Sequence, residues 1–346
     1  MIYFNSDYLE GAHPSIMVRL AETNMVQTVG YGEDEYCEAA REKIKTACQA
    51  PEADVHFLVG GTQTNTTVIA AILRPWQGVI SAVSGHINCH EAGAIESTGH
   101  KVITLPTTNG KITAQQVQDY VEWHRNDEST EHIVQPGMVY ISHPTEGGTL
   151  YTKAELTALY DICRRYGLPL FIDGARLGYG LMAEESDMTL PEIARLCDVF
   201  YIGGTKVGAL FGEAVIIMNE NLKKDFHFIM KQRGGRMAKG RLLGVQFDTL
   251  FTNDLYFKIS RHAIEMAHQI RDIFVSAGYP LLFDSPTNQQ YPIMSDDELA
   301  ILGKSFGYEY WERVDETHSG VRFCASWATK QEHVDALRAA VNALKK

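Results

Sequence analysis

Residues 168–208 read LPLFIDGARLGYGLMAEESDMTLPEIARLCDVFYIGGTKVG, and two short apolar runs inside this stretch, LPLFID (168–173) and DVFYIG (198–203), each stop abruptly on polar residues. Runs of this length, apolar throughout rather than at every second position, are what strands buried on both faces of a parallel sheet look like. Working outward, the same kind of run recurs as VHFLV (55–59), VISAV (79–83), KVITL (101–105), MVYIS (138–142) and AVIIM (214–218). Amphipathic stretches lie between most of them, for example Thr113 to Trp123 and Lys153 to Tyr166, with apolar residues three and four apart. Strand alternating with helix predicts an α/β domain whose mostly parallel, seven-stranded sheet is covered on both faces.

Beyond Asn219 the pattern changes. A long helix is predicted from about Tyr256 to Ala277, with Ile259, Ala263, Met266, Ile270 and Phe274 as its apolar stripe. PLLF (280–283) and VRFCAS (321–326) read as short strands, and residues 330–346 as a last helix. The predicted division is a large α/β domain over residues 14–250 and a smaller α+β domain over 251–346, which residues 1–13 join.

With 346 residues, 45% of them hydrophobic, the chain can bury a sizeable core. Its 31 Lys and Arg against 43 Asp and Glu leave a formal charge of −12 and no basic block, which excludes nucleic acid as the main partner. No run approaches the roughly 18 apolar residues of a membrane span, and the opening MIYFNSDYLEG lacks a basic, then apolar, leader pattern. A cytoplasmic chain is therefore expected. Six scattered cysteines with no C-x-x-C are read as reduced thiols. Of the thirteen histidines only His86 and His90 have helical ligand spacing, H-E-x-x-H is absent, and no metal centre is predicted.

Ligands on open α/β sheets bind outside the carboxyl ends of strands, so chemistry is sought in the polar residues that follow each run. The first is followed by Gly60, Gly61, Thr62, Gln63, Thr64 and Asn65, then by a helix, a place where free backbone amides would hold an anion. LPLFID ends on Asp173, a carboxylate that needs a cation or hydrogen bonds, with Arg176 as one candidate partner. DVFYIG leads to Gly204, Thr205 and Lys206, a lysine hemmed in by glycine and apolar residues, where desolvation lowers an amine's pKa and favours imine formation. Anion cradle, carboxylate and lysine in that order are the three needs of pyridoxal 5'-phosphate: a site for its phosphate, a partner for its pyridinium nitrogen and an amine for its aldehyde. His86, just after the run at 79–83, is well placed to stack on the ring.

With these residues the chain resembles the fold-type I pyridoxal-phosphate enzymes and, more narrowly, the threonine aldolase and β-eliminating lyase family. Ser6 and Asp7 in FNSDY, the YGED of Tyr31 to Asp34, FIDGAR, the TK of Thr205 and Lys206, and VRFCASWATKQEHVDAL are similar to family motifs in the same order, nearly end to end. The resemblance implies that Lys206 joins the cofactor's aldehyde, Asp173 binds the pyridinium nitrogen, and Gly61 and Thr62 hold the phosphate. It implies further that His86 stacks on the ring and serves in acid/base steps, and that Arg176 lies near the phenolic oxygen. Ser6 and Arg322 would clamp the substrate α-carboxylate, and Tyr31 would come close to the site, from its own or a neighbouring subunit. His143 matches a family histidine placed to take the substrate hydroxyl proton.

Two departures bear on the substrate side. Pro144 stands after His143 where the family commonly has asparagine, and Thr205 stands where it has serine. In RGGRMAKGR (233–241), Arg236, Lys239 and Arg241 are alternatives for a cation sent to a partner's phosphate. The function implied is retro-aldol cleavage of a β-hydroxy-α-amino acid, L-threonine or L-allo-threonine, to glycine and an aldehyde. β-Elimination or transamination on the same scaffold is the alternative, and a non-catalytic relative of the fold stands behind both. The expected assembly is a homodimer or homotetramer with sites at the subunit interface.

Overall fold

Each of the seven runs that the sequence marks as buried becomes a strand of one sheet in the computed structural model, which describes residues 1–345. After a two-residue strand β1 (Ile2–Tyr3), these are β2 (Asp54–Leu58), β3 (Gln77–Ala82), β4 (Val102–Leu105), β5 (Gln135–Ser142), β6 (Leu170–Asp173), β7 (Val199–Gly203) and β8 (Glu213–Ile217). Their order across the sheet is β2-β8-β7-β6-β5-β3-β4. Five neighbouring strands, β7 to β4 in that order, are parallel, and β8 runs antiparallel to both β7 and β2.

Alternation along each strand splits the sheet's residues between two cores. One face carries Phe57, Ile80, Ile141, Ile172, Phe200 and Ile216. The other carries Leu58, Val79, Tyr140, Phe171, Tyr201 and Val215. Helices Glu35–Cys48, Lys153–Tyr166 and Arg241–Leu250 cover the first face, and Gly61–Ile72 and Phe226–Gln232 the second.

Helix ends follow local chemistry. Thr152 and Glu155 form a reciprocal capping box at the start of Lys153–Tyr166, and Gly167 at φ 70° ends it in the left-handed conformation that glycine tolerates. The same device at Thr113 and Gln116 sets the start of the next helix back, at Ala114–Asn126, with Thr113 as its cap.

A separate core gathers Phe4, Met294, Leu299, Phe323, Val334 and Leu337 around the later elements. They are β9 (Gln289–Gln290), β10 (Ile293–Ser295), β11 (Phe306–Gly307), β12 (Glu309–Arg313), β13 (His318–Cys324) and the helix Gln331–Leu344. β10 and β12 flank β13 antiparallel, and β1 pairs in parallel with β11. The helix Leu255–Ser276 serves both bodies: Tyr256, Ile259, Ala263 and Ile264 enter the large core, and Met266, Ile270, Ile273 and Phe274 the smaller one. PLLF is not a strand, contrary to the sequence reading. Only Leu281 bridges, to Pro292, held by the Leu282 amide on the Tyr291 carbonyl and the Ile293 amide on the Pro280 carbonyl.

Gly174 follows β6 where the chain passes against β7. A Cβ there would meet the carbonyl of Tyr201, which is backbone and cannot swing aside, and lie 3.1 Å from the Leu177 Cβ. Gly174→Ala is expected to destabilise the protein by at least about 1–3 kcal/mol, the usual range for overpacking, read as a lower denaturation midpoint in urea.

Candidate active site

The parallel strands end at one edge of the sheet, and β3 and β5 are neighbours there although β4 lies between them in sequence, a crossover of the kind that opens a ligand crevice. A cavity of about 400 Å3 lies at this edge. Gly61, Thr62, His86, Asp173, Arg176, Thr205 and Lys206, scattered over 146 positions of the chain, all line it. β8, entering from the opposite direction, brings its first residue to the same edge, and Glu213 pairs in register with Leu58 and Gly203.

Asp173 is buried and accepts four hydrogen bonds. Tyr140 Oη at 2.6 Å and Asn65 Nδ2 at 3.1 Å donate to Oδ2; the Ala175 amide at 3.0 Å and Tyr201 Oη donate to Oδ1. Both tyrosines stand on the sheet face to which Asp173 points, which is why their hydroxyls converge on it. Burial alone would raise this carboxyl's pKa; His86 and the hydrogen bonds outweigh it, and the group stays below its ordinary value and ionised.

His86 opens the short helix His86–Cys89. Its Nδ1 lies 2.9 Å from Oε1 of Glu91, which also accepts from Asn65 Nδ2 at 2.7 Å, so Asn65 ties the histidine's partner to Asp173. Burial draws the imidazole's pKa down, but the Glu91 hydrogen bond and the charges of Glu146 and Asp173 win, and it titrates above its ordinary value.

Arg176 does not pair with Asp173, as one sequence reading had it. Its guanidinium forks onto Asp7, Nε to Oδ2 at 2.7 Å and Nη2 to Oδ1 at 3.1 Å, and Asn288 adds a third bond to Asp7 at 2.9 Å. Burial would push Asp7 up; Arg176, Lys206 and these hydrogen bonds hold it at about 2. The Lys206 amine makes no hydrogen bond or ion pair among the described residues. Burial and the Arg176 charge lower its pKa against the pull of Asp7, Glu146 and Asp173.

Other residues singled out from sequence lie elsewhere. His143 is not among the cavity's lining residues, although Ser142 and Pro144 on either side of it are. Tyr140 and Ser142 share the cavity face of β5, so alternation turns His143 to the opposite face. There it is 1% exposed, its Nδ1 accepts from the Tyr151 amide at 3.4 Å, and burial pushes its pKa down to about 4. The expectation that His143 takes a substrate proton is corrected accordingly.

Arg322 donates to Glu309 at 2.6 Å, to Gln289 at 3.1 Å and to the Asn5 carbonyl at 3.1 Å, while its buried Nε has no partner among the described residues. Ser6 is thereby held between Asn5 on Arg322 and Asp7 on Arg176. Tyr31, at φ 64°, lines a different cavity of about 290 Å3 with Arg236, which pairs with Glu33 at 2.6 Å. Arg241 is engaged by the carbonyls of Val26 and Asn24.

Glu91, Asn65, Tyr140, Tyr201 and Glu213 were not assigned roles from sequence. The two tyrosines had a signal, a hydroxyl inside each of two runs otherwise apolar. Glu213 had none, because it stands at the start of its strand and only strand ends were searched.

The residues suit pyridoxal 5'-phosphate. The helix Gly61–Ile72 starts without a side-chain cap, an amine without a partner faces a carboxylate that hydrogen bonds keep ionised, and the volume is that of a small-ligand site. A sheet of this order with cradle, carboxylate and lysine at its carboxyl edge defines the fold-type I class of pyridoxal-phosphate enzymes. Within that class the β-eliminating lyase family model matches residues 4–340, and the chain belongs to this family, whose membership implies pyridoxal 5'-phosphate. It is similar to the threonine aldolase structure from Leishmania major, with 42% identity, full coverage of both chains and a TM-score of 0.97. It is 28% identical to the low specificity L-threonine aldolase of Pseudomonas aeruginosa, over 96% of this chain and 95% of that one. The histidinol-phosphate aminotransferase of Clostridium acetobutylicum, 12% identical with a TM-score of 0.76 and covering 100% of this chain and 99% of that one, shares the fold.

Removing Asp7 leaves a buried guanidinium unanswered. Asp7→Ala is expected to cost about 3–5 kcal/mol at neutral pH, read by denaturant titration. In the unmodified chain the Asp7 contribution is complete above its ordinary pKa of 3.8 and is lost as pH falls through about 2.

Proposed function

We propose that this chain binds pyridoxal 5'-phosphate and cleaves L-threonine or L-allo-threonine to glycine and acetaldehyde. The observation that carries the reading is His86, fixed by Glu91 at Nδ1 and facing the cavity that Lys206 and Asp173 share. With Nδ1 donating to Glu91, Nε2 is left with its lone pair, the state needed to accept the proton of a β-hydroxyl. Bound in the cavity, the cofactor supplies an electron sink for the pair left on Cα when the Cα–Cβ bond breaks. Asp173 holds the ring nitrogen's proton, and Gly61, Thr62 and Thr205 hold the phosphate. Lys206 would hold the aldehyde. Arg322, whose Nε is free, takes the substrate carboxylate beside Ser6, and Arg176 sits by the phenolic oxygen.

Assembly as a homodimer or homotetramer belongs to the same proposal. Met17, Val18, Met25, Val26, Val29 and Tyr31 are exposed apolar residues within one N-terminal segment, a surface suited to a second copy of the chain. On this reading Tyr31 and Arg236 reach a neighbouring subunit's site. Sedimentation equilibrium is expected to give a multiple of the 38.7 kDa chain mass.

Incubated with either amino acid, the cofactor-loaded protein is expected to release acetaldehyde and glycine in equal amounts. Keto acid and ammonia in their place would support β-elimination instead. Lys206→Ala is expected to abolish release and leave no borohydride-reducible linkage. His86→Asn is expected to lower kcat by about 10²–10⁴-fold, the usual worth of a general base. Because Glu91 helps to raise the His86 pKa, Glu91→Gln is expected to move the acid limb of the kcat/KM profile to lower pH.

A further inference from the structure

Glu213 is an odd neighbour for a phosphate site. It is 3% exposed and lines the cavity beside Gly61, Thr62 and Thr205, the residues that the reading above gives to the phosphate. Its Oε2 accepts the Gly204 amide at 3.1 Å, and the Thr205 hydroxyl, which accepts from the Gly212 amide at 3.0 Å, lies against it. The Gly204 amide and the Thr205 hydroxyl thus already address a carboxyl group. Among the described residues the only arginine that lines the cavity, Arg176, is engaged by Asp7. An ionised Glu213 would confront a phosphate dianion with like charge in a poorly solvated corner, whereas a protonated carboxyl is a hydrogen-bond donor.

We propose that Glu213 closes the phosphate end of the cavity as a neutral carboxylic acid that donates its proton in a hydrogen bond to a phosphate oxygen, so that cofactor loading requires Glu213 protonated. The inference rests on the pyridoxal 5'-phosphate reading. Burial pushes the Glu213 carboxyl up to about 8, against the Thr205 and Gly204 hydrogen bonds and the Lys206 charge, which lower it. Asp173, also across the cavity, raises it. Tyr201 on β7 and Tyr256 on the helix Leu255–Ser276 also lie close to it, and Tyr8, His86, His90 and Glu146 line the same cavity. From β2 and the helix Arg241–Leu250 the adjacent groups are apolar: Leu58 opposite in register, and Phe247 and Leu243 against Gly212. Below about pH 8 the proton is already in place and affinity is level; above it, binding must take up a proton and weakens by up to about tenfold per pH unit.

The test uses pyridoxine 5'-phosphate, which carries ring and phosphate but no aldehyde, so its affinity is read without a bond to Lys206. Its Kd for the cofactor-free protein is measured by calorimetry from about pH 6.5 to 9.5, together with that of Glu213→Gln, whose curve supplies the ring's own titration. The expected result is equal affinity within about threefold at pH 7 and a wild-type Kd that climbs away from the variant's above pH 8, approaching tenfold per unit. Should Glu213→Gln fail to fold by circular dichroism, Glu213→Ser, a smaller neutral donor, gives the same comparison. Parallel curves overturn the Glu213 proposal and leave the cofactor reading standing. No binding by the wild-type protein at pH 7 overturns both.

Discussion

An ionised carboxylate buried at the end of a sheet strand carries a desolvation penalty of several kcal/mol unless hydrogen bonds replace its water. At Asp173 those bonds come from Tyr140 on β5, Tyr201 on β7, Asn65 on the helix after β2, and its own following loop. The donors therefore demand that β6 lie between β5 and β7 in one register. A slip by one residue would turn both hydroxyls to the far face of the sheet and leave the charge without them. The strand order of the centre of the molecule and the charge state of the candidate cofactor partner are in this sense one constraint.

A second buried charge ties the N-terminal segment to the sheet. Arg176, three residues after Asp173, is answered by Asp7, and Arg322 on β13 takes the carbonyl of Asn5. Residues 5–7 thus run between an arginine of the large body and one of the smaller body. Partnered buried charges of this kind contribute little net stability but penalise any arrangement that separates them. They hold the region around Ser6 in place more by excluding alternatives than by attraction.

The fold was legible because both of its periodicities are strong. Fully apolar runs separated by amphipathic stretches admit few architectures, and the capping pairs Thr113 with Gln116 and Thr152 with Glu155 mark helix starts in the sequence itself. PLLF misled because four apolar residues carry no information about a pairing partner, and it makes a single bridge rather than a ladder. In the site, residues at strand ends were found because a parallel sheet gathers those ends along one edge. His143 was misplaced for a related reason: proximity to the edge was read, but not the face, and one step along β5 reverses the face.

By itself the sequence determined the class of fold and the set of groups, Gly61, Thr62, His86, Asp173, Arg176, Thr205 and Lys206, that line the cavity, since the order of polar strand ends along the chain is a local property. Tertiary structure alone decided the pairings: Arg176 with Asp7, His86 with Glu91, and Asp173 with two tyrosines. It also decided that Glu213, at the beginning of an antiparallel strand, reaches an edge otherwise built from strand ends. Which charges meet depends on strand order and direction, and residues 169 positions apart in the chain carry no mark of meeting until the sheet is assembled.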